Sequence, residues 1–300
     1  MNSITAVILT FNESLHLQRC IESIFPLTKN IVVVDSFSTD DTVDIARRCG
    51  ANILQRAWQN NHSVQFNWAL SQLPASTEWV FRIDADEILT TVLIDEIKQT
   101  LLTINSSIVG LQCIRKMVFQ GSLLKYGGMG GTRTLRLFRF GHGRSESRWM
   151  DEHIKLDGQS LNLSGAIIDN NLQSLEWWRA KHENYAKREA VDLLNLKYHF
   201  SASDSVASQA VVSQLSLKRK IKEKIYARLP KGLRSMAYFM YRYILLGGFL
   251  DDANGRSFHR LQGYWYRNLA DHNVAQVERY KQEHGVDIKT AITHVLGITV

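Results

Sequence analysis

The chain has 300 residues, of which 45% are hydrophobic and 22% charged, and its formal net charge is +7 at pH 7. This composition excludes wholesale disorder, and the length allows one large domain, alone or with an appendage. Cys20, Cys49 and Cys113 are scattered, and no CxxC or HExxH sequence occurs, which argues against a disulfide framework and a zinc site. The N-terminal residues lack the features of a signal peptide, so we expect a cytosolic chain.

Strand and helix patterns alternate through the first 120 residues. Apolar runs predict strands at 4–10, 30–35, 51–55, 78–84 and 107–119. Apolar residues at helical spacing predict helices between them, with Asn12 as the cap of the first. Ser38 and Asp41 resemble a capping box for the second helix, which is expected to end at Gly50.

The later part of the chain changes character twice. Residues 121–158 contain many glycines and short strand patterns, including 134–140, and residues 172–198 are predicted to be helical. Residues 216–270 are first basic and then strongly apolar and aromatic. The pattern as a whole predicts an α/β fold, Rossmann-like, with a mostly parallel sheet covered by helices on both faces, plus a helical C-terminal appendage.

Polar segments follow three of the predicted strands, at 10–13 (TFNE), 35–41 (DSFSTDD) and 84–87 (DADE). Ligands of such sheets bind beyond the carboxyl ends of the strands, so we expect these segments to face one crevice. Asp84 and Asp86 are two residues apart and can present their carboxylates together, as a Mg²⁺ or Mn²⁺ site that also holds a diphosphate would require. The same pattern is also typical of a polar turn before a helix.

Asp35 is expected at the end of the second strand, where its carboxylate is suited to accept a hydrogen bond from the N3–H of a uracil ring. Ser36, Ser38 and Thr39 offer hydroxyl groups to a ribose or to the backbone, although a helix-capping loop would explain them equally well. Neither GxGxxG nor GxxxxGK[ST] follows the first strand. A nucleotide would therefore be held through its base and a cation.

Three segments, AVILTFNES, IVVVDSFSTDDT and VFRIDADE, resemble in their order and spacing the family 2 glycosyltransferases with the GT-A fold. The likeness is greatest to the subgroup that builds lipopolysaccharide core and capsular polysaccharide chains, and it covers residues 4 to about 160 well. The resemblance implies transfer of a sugar, usually from a UDP-sugar, with inversion at the anomeric carbon.

Carried over to this sequence, the resemblance assigns binding roles to residues in all three segments. Thr10, Asn12 and Glu13 would line the nucleoside pocket, and Asp35 would meet the base. Asp84 and Asp86 match the DxD pair that holds the nucleotide and the cation.

One position departs from the family's pattern. Related sequences often have a basic residue between the positions of Gln65 and Asn67, where this chain has Phe66. We keep Gln65 and Asn67 as nucleotide contacts. The positive charge for the diphosphate would come instead from an arginine of the segment GGTRTLRLFRF, namely Arg133, Arg136 or Arg139, although these arginines are equally suited to pair with surface carboxylates.

Inverting transfer requires a base that takes the proton of the acceptor hydroxyl. The acidic position of the family after the RLFR strand falls at Glu152, with Asp151 beside it, and we favour Glu152 as the base. His153 is expected to pack beside them. The alternative is ordinary polar surface.

The segment from Ser216 to Arg242 carries nine lysines and arginines against one glutamate, and 233–250 is mostly apolar. This pattern predicts a segment that lies in the interface of an anionic membrane, and it is too short and too charged for a transmembrane helix. The alternative is a helical subdomain or a dimer interface. No recognisable nucleic-acid module accompanies the basic residues, so we expect no nucleic-acid partner.

These inferences predict a catalytic domain over residues 1–200 and a helical region over 201–300. The predicted function is a metal-dependent inverting glycosyltransferase on the cytoplasmic face of a bacterial inner membrane, with a lipid-linked or oligosaccharide acceptor. Two rivals remain. One is a sugar nucleotidyltransferase, and the other is a non-catalytic membrane-associated partner that retains the fold.

Overall fold

The structure is a computed structural model that describes residues 3–59, 61–146, 153–200 and 232–300. These residues form two compact units. The first contains the described residues up to Leu172 except Lys125–Gly128, and the second contains Lys125–Gly128 and the described residues from Gln173 onward. The domain boundary predicted after residue 200 adjoins 201–231, which lie outside the described residues, and it stays a prediction.

The first unit is built on one large mixed sheet. The strands are β1 Ile4–Thr10, β2 Ile31–Asp35, β3 Asn52–Gln55, β4 Trp79–Asp84, β5 Glu87–Leu89, β6 Ile108–Phe119, β7 Ser122–Leu123, β8 Thr132–Arg139, β9 Gly143–Ser145, β10 Ile154–Leu156 and β11 Gln159–Asn170. Nine of the described strands form this sheet in the order β3-β2-β1-β4-β8-β6-β11-β5, with β7 paired to β6. The other two, β9 and β10, form a small antiparallel pair.

The first four strands of that order are parallel, as the alternating pattern predicts. Strand β8 then runs antiparallel between β4 and β6, β6 and β11 are parallel, and β5 closes the sheet in the antiparallel sense. The predicted α/β fold is therefore confirmed.

Helices cover both faces of the sheet, and successive residues of β1 pack alternately into the hydrophobic core on one face and the core on the other. The helices of this unit are α1 Leu17–Ile24, α2 Thr42–Arg48, α3 His62–Ser71 and α4 Thr91–Thr103. Ile4, Ala6 and Ile8 pack in one buried cluster with residues of α1, α2 and α4. Val7 points to the other face, where it packs in a second cluster with Phe66 of α3.

Two predicted helix caps are wrong. Helix α1 begins at Leu17 rather than beside Asn12, whose backbone has a φ of 55° and whose Oδ1 accepts a hydrogen bond from the Thr39 backbone N–H. Helix α2 begins at Thr42, and its preceding residue, Asp41, makes no capping hydrogen bond from its side chain. Contacts between two distant loops thus replaced the local hydrogen bonds on which the predictions were based.

The second unit is helical in its described part. Its α-helices are α5 Leu175–Tyr198, α6 Leu233–Met240, α7 Ala253–Arg260, α8 Tyr266–His284 and α9 Ile288–Leu296, with π-helical turns at Tyr241–Leu245 and Leu261–Trp265. Helices α5, α8 and α9 enclose a hydrophobic core. Buried Asp271 anchors the start of α6 by accepting hydrogen bonds from Arg234 Nε at 2.6 Å and Ser235 Oγ at 2.9 Å. Among the described residues, no helix combines the length and the apolar character needed to cross a membrane.

Candidate active site

The polar strand ends meet at one edge of the sheet. Thr10, the last residue of β1, pairs with Asp35 at the end of β2, and Leu9 pairs with Asp84 at the end of β4. Because these strands are parallel, the segments that follow them emerge side by side. The structure therefore brings together the three segments that the sequence singled out.

Asp35 is fully buried, and its carboxylate is surrounded by donors. Oδ1 accepts from the hydroxyls of Thr10, at 3.2 Å, and Ser38. Oδ2 accepts from the backbone N–H of Ser38 at 2.9 Å and from Gln55 Nε2 at 3.2 Å. A nucleobase that donates to Asp35 would have to replace one of these four donors.

Hydrogen bonds join the loop after β1 to the loop after β2. The Asn12 backbone N–H donates to Ser38 Oγ at 2.9 Å, and the Glu13 N–H donates to Thr42 Oγ1 at 2.7 Å. The Glu13 carboxylate also lies 2.6 Å from Nδ1 of buried His16, whose Nε2 accepts from the Leu172 N–H. Glu13 is therefore oriented by a neighbour that the sequence analysis did not identify.

Two exposed aromatic residues flank these loops. Phe11 is 58% exposed and Phe37 is 54% exposed. Phe37 has a φ of 61°, a left-handed conformation that is costly for a bulky side chain. Such strain commonly accompanies functional loops.

Helix α3 carries Gln65 and Asn67, which the resemblance predicts to be nucleotide contacts. Gln65 is buried, and its Nε2 donates to the Arg56 carbonyl at 3.0 Å and to Ser36 Oγ at 3.3 Å, while its Oε1 is buried without a hydrogen-bond partner in the structure. The Asn67 amide exchanges two hydrogen bonds with the backbone of Ser145, each of 2.9 Å. Phe66 is fully buried, so the position that departs from the family's pattern contributes to the core. Nucleotide contacts by Gln65 and Asn67 stay predictions.

The end of β4 is held by a buried ionic network. Arg136 Nη2 lies 3.1 Å from Asp84 Oδ2 and also donates to Glu87 Oε1. Glu87 Oε2 accepts from the Asp84 backbone N–H at 3.0 Å. Arg115 Nε lies 3.1 Å from Glu87 Oε1, and its Nη2 pairs with Asp169. The network therefore holds both the backbone and the side chain of Asp84.

The pKa values of Asp84 and Glu87, the two acidic residues that contact Arg136, shift in opposite directions. Burial opposes ionisation of Asp84, but Arg136, Arg82 and Arg115 outweigh it and lower the pKa of Asp84 below its ordinary value. Burial raises the pKa of Glu87 to about 7 despite Arg136, with the Asp84 carboxylate adding to the rise. Asp84 is thus the member of the pair that stays ionised.

Asp86 contacts the end of β11, the residue that follows β11, and helix α1. Its Oδ2 accepts from Asn171 Nδ2 at 3.0 Å, and its backbone carbonyl accepts from the Asn170 N–H at 3.0 Å and from Arg19 Nη2 at 3.3 Å. Neither Asn171 nor Arg19 was singled out in the sequence, because no local pattern marks them. They reach Asp86 only through the sheet and through the packing of α1.

The three arginines proposed as the source of positive charge for the diphosphate lie in different surroundings. Arg136 is 6% exposed and is engaged with Asp84 and Glu87. Arg133 is exposed and donates from Nη1 to the Leu163 carbonyl at 3.1 Å. Arg139 donates to the Ile108 carbonyl and stacks on Trp79. Contact of Arg133 or Arg136 with a diphosphate stays a prediction.

The donor chemistry of the strand end suits a hard divalent cation. The Asp84 side chain is 42% exposed and Asp86 is partly exposed, so both offer carboxylate oxygens to the crevice. Within the described residues, no group of three or more His, Cys, Asp and Glu side chains is arranged to hold a metal ion. Two carboxylates fit Mg²⁺ or Mn²⁺ when substrate phosphates and water complete the shell.

The predicted base lies outside the described residues. Asp151 and Glu152 fall within 147–152, between the paired strands β9 and β10. Next to that pair, the Glu146 N–H donates to the His153 carbonyl at 3.0 Å, and the His153 N–H lies 3.3 Å from Glu146 Oε1. The role of Glu152 or Asp151 as the base stays a prediction.

Comparison with known proteins agrees with this geometry. A model described as glycosyl transferase family 2 matches residues 5–145, which contain all three strand ends. A lipopolysaccharide core biosynthesis glycosyltransferase of Rhizobium meliloti, LpsC, is 34% identical over 172 residues, which cover 55% of this chain and 62% of that protein. A glycosyltransferase of Rickettsia prowazekii is 41% identical over 98 residues. That match covers 33% of this chain and 32% of the Rickettsia protein, so the chain matches only about a third of this relative's length.

Among solved structures, glucosyl-3-phosphoglycerate synthase from Mycobacterium tuberculosis is similar to 38% of this chain, with 24% identity and a TM-score of 0.32, and the match covers 44% of that protein. That structure contains Mn²⁺, UDP and glucosyl-3-phosphoglycerate. The mixed, mostly parallel sheet with its helices agrees with the GT-A fold that the sequence resemblance implies. The part of the chain that holds the acidic strand end, residues 5–145, is therefore similar to glycosyltransferase family 2.

Proposed function

We propose that the protein is an inverting glycosyltransferase that moves a sugar from a nucleotide donor, with UDP as the preferred nucleotide, to a glycolipid or polysaccharide acceptor of the cell envelope. One observation carries the proposal: the ends of three strands bring Asp84 and Asp86 beside two interlocked polar loops within a family 2 domain. The similarity to a lipopolysaccharide core glycosyltransferase supports the acceptor class.

The chain's own residues would divide the work between binding and proton transfer. Thr10, Asn12, Glu13 and the loop from Asp35 to Ser38 would enclose the nucleoside, with Gln65 and Asn67 holding the loops in place. Asp84 and Asp86 would hold Mg²⁺ or Mn²⁺, which when bound supplies positive charge to the diphosphate leaving group. Glu152, or Asp151 beside it, would take the proton from the acceptor hydroxyl.

We further propose that the second unit binds an anionic membrane surface, on the cytoplasmic side of the inner membrane, where a lipid-linked acceptor would lie. The segment 233–250 exposes a set of large apolar side chains: Leu233, Met236, Met240, Tyr241, Ile244, Leu245, Leu246, Phe249 and Leu250. Seven lysines and arginines lie between Ser216 and Lys231, immediately before this segment in the sequence. Apolar side chains next to basic residues are suited to an anionic bilayer surface.

Isothermal titration with UDP, in the presence and absence of Mn²⁺, tests the nucleotide site. We expect Mn²⁺ to strengthen UDP binding by about tenfold or more. The variant Asp86→Ala should lose this gain, whereas Asp95→Ala, which removes an exposed carboxylate of α4, should keep it. UDP binding that is indifferent to both Mn²⁺ and Asp86→Ala would contradict the proposal.

A donor screen with purified protein then separates the rival functions. We expect slow hydrolysis of one or more UDP- or GDP-sugars, with release of the nucleoside diphosphate. Formation of a nucleotide sugar from a nucleoside triphosphate and a sugar phosphate, with release of pyrophosphate, would indicate a nucleotidyltransferase. UDP binding without turnover of any donor or acceptor would indicate a non-catalytic partner.

A further inference from the structure

Arg136 occupies an irregular position in the sheet. Leu137 of β8 pairs with Leu111 of β6, and Leu135 pairs with the next residue, Gln112, so Arg136 is the extra residue of a β-bulge. Bulges redirect a side chain and are frequent next to active sites. Here the bulge is on the strand beside β4, whose last residue is Asp84.

The guanidinium group of Arg136 binds two acidic residues at the end of β4 and the start of β5. It is buried, and Nη2 contacts both Asp84 and Glu87. Glu87 is fixed in turn by Arg115 of β6, which also pairs with Asp169. Asp169 lies opposite Glu87 in the antiparallel pairing of β5 and β11. The positive charge of Arg136 is therefore a fixed part of the buried ionic network.

The ion pair with Arg136 reduces the net negative charge that Asp84 and Asp86 together offer to a bound cation. A divalent ion near Asp84 is also near the positive charge of Arg136, and the two effects oppose each other. Asp86 differs, because its Oδ2 accepts from Asn171, a neutral amide, and the Arg19 guanidinium reaches its backbone carbonyl rather than its carboxylate. The carboxylate of Asp84 is therefore in a direct ion pair with Arg136, whereas that of Asp86 accepts a hydrogen bond from an amide.

We propose that Arg136 is a positioning residue that neutralises Asp84, so that Mn²⁺ or Mg²⁺ binds weakly to the protein alone and firmly only together with a nucleoside diphosphate. The inference rests on the proposed function and deepens it, because it makes the diphosphate a necessary part of the cation site. By thermodynamic linkage, the cation and UDP then strengthen each other's binding by the same factor.

The test measures Mn²⁺ binding by the paramagnetic resonance signal of the free ion, with and without saturating UDP. For the wild type, we expect the affinity for Mn²⁺ to rise by at least about tenfold when UDP is present. The double variant Arg136→Gln with Glu87→Gln removes a cation and a carboxylate together, so that the formal charge of the network is unchanged. Arg115 keeps its pair with Asp169, and the partly exposed Asp84 becomes available to a cation. Its affinity for Mn²⁺ alone should rise by about tenfold.

Arg47→Gln is the control, because Arg47 is an exposed arginine of α2 that pairs with Asp44 instead of an acidic residue of the strand end. Its affinity for Mn²⁺ should equal that of the wild type. A folded double variant with unchanged affinity for Mn²⁺ alone would overturn the inference, whereas a wild type in which Mn²⁺ and UDP do not strengthen each other's binding would count against the proposed function itself.

Single substitutions give an independent test if the double variant does not fold. Arg136→Lys keeps the positive charge beside Asp84 and should leave the affinity for Mn²⁺ alone at the wild-type value, within about threefold, whereas Arg136→Gln should raise it by about tenfold. Equal affinities of these two variants for Mn²⁺ alone would refute the role of Arg136. A wild type that binds no UDP under any condition would instead refute the proposed function, so the two failures are distinguishable.

Discussion

At the scale of the residue, the carboxylate of Asp35 shows how one side chain can organise a loop. Its two oxygens accept from Thr10, Ser38 and Gln55, and Ser38 also donates through its backbone N–H. Ser38 in turn accepts from the Asn12 N–H, so the hydrogen bonds continue into the loop after β1. The carboxylate joins the ends of two strands before any ligand is bound.

The variant Asp35→Asn should test this organising role. One carboxylate oxygen becomes an NH₂ group that faces donors, which leaves buried donors unsatisfied and should reduce the free energy of unfolding by about 1–3 kcal/mol. UDP binding should weaken as well. Urea unfolding and titration with UDP measure both effects. Asp41→Asn, at an exposed position without a side-chain capping bond, should change stability by less than about 0.5 kcal/mol.

The predicted base is open to an equally direct test. Glu152→Gln should slow sugar transfer by about 100-fold or more, because the amide cannot accept the proton. Binding of UDP and Mn²⁺ should be unchanged, which separates loss of a base from loss of the fold. Asp151→Asn serves as the neighbouring control. If Asp151→Asn is the inactive variant, the roles of the two residues are exchanged, and full activity of both variants would contradict the assignment.

At the scale of the element, α4 is fastened to an irregular stretch of β11. The register of β11 against β6 shifts between Asn162 and Ala166. Within that stretch, Glu96 of α4 accepts hydrogen bonds from the backbone N–H groups of Ser164 and Gly165, the latter at 2.7 Å. A Cβ at Gly165 would lie 2.5 Å from the backbone Cα of Leu93, so the helix approaches the strand as closely as glycine allows.

The variant Gly165→Ala should therefore reduce the free energy of unfolding by about 1–3 kcal/mol, because backbone atoms must move to admit the methyl group. Chemical denaturation monitored by circular dichroism measures the change. Gly263→Ala is the control, since its Cβ would meet only the Phe239 ring, at 3.6 Å. A Gly165→Ala protein as stable as the wild type would show that α4 is free to shift outward.

At the scale of the whole molecule, the proposed active site and the exposed apolar side chains belong to different units. The acidic strand end lies in the first unit, and the exposed side chains of 233–250 lie in the second. Monomeric proteins seldom expose a large contiguous set of apolar side chains without a partner. The proposed membrane surface supplies that partner.

Flotation with liposomes tests the membrane proposal. Wild-type protein should float with vesicles that contain anionic lipid and float less with neutral vesicles. Leu245→Glu should reduce flotation, whereas Leu102→Glu should not, although the two leucines are 76% and 75% exposed. Equal flotation with anionic and neutral vesicles, or equal effects of the two variants, would count against this surface.

Much of the fold follows from local sequence patterns. The strands found at Ile4–Thr10, Ile31–Asp35 and Trp79–Asp84 lie within a residue of the predicted bounds, because buried parallel strands appear as short apolar runs. The cap predictions at Asn12 and at Ser38 with Asp41 are wrong because the side-chain oxygens of Asn12 and Ser38 accept hydrogen bonds from backbone N–H groups of the other loop. Local patterns contain no information about such partners.

The sequence by itself determined the alternation of strands and helices, the polar segments at three strand ends, and the acidic residues Asp84 and Asp86, because each of these is written in neighbouring residues. Only the tertiary structure decided which groups surround those acidic residues. Arg136, Arg115, Asp169 and Asn171 come from strands and loops far along the chain. The order of strands in a sheet sets such contacts, and a pattern within one segment does not specify that order.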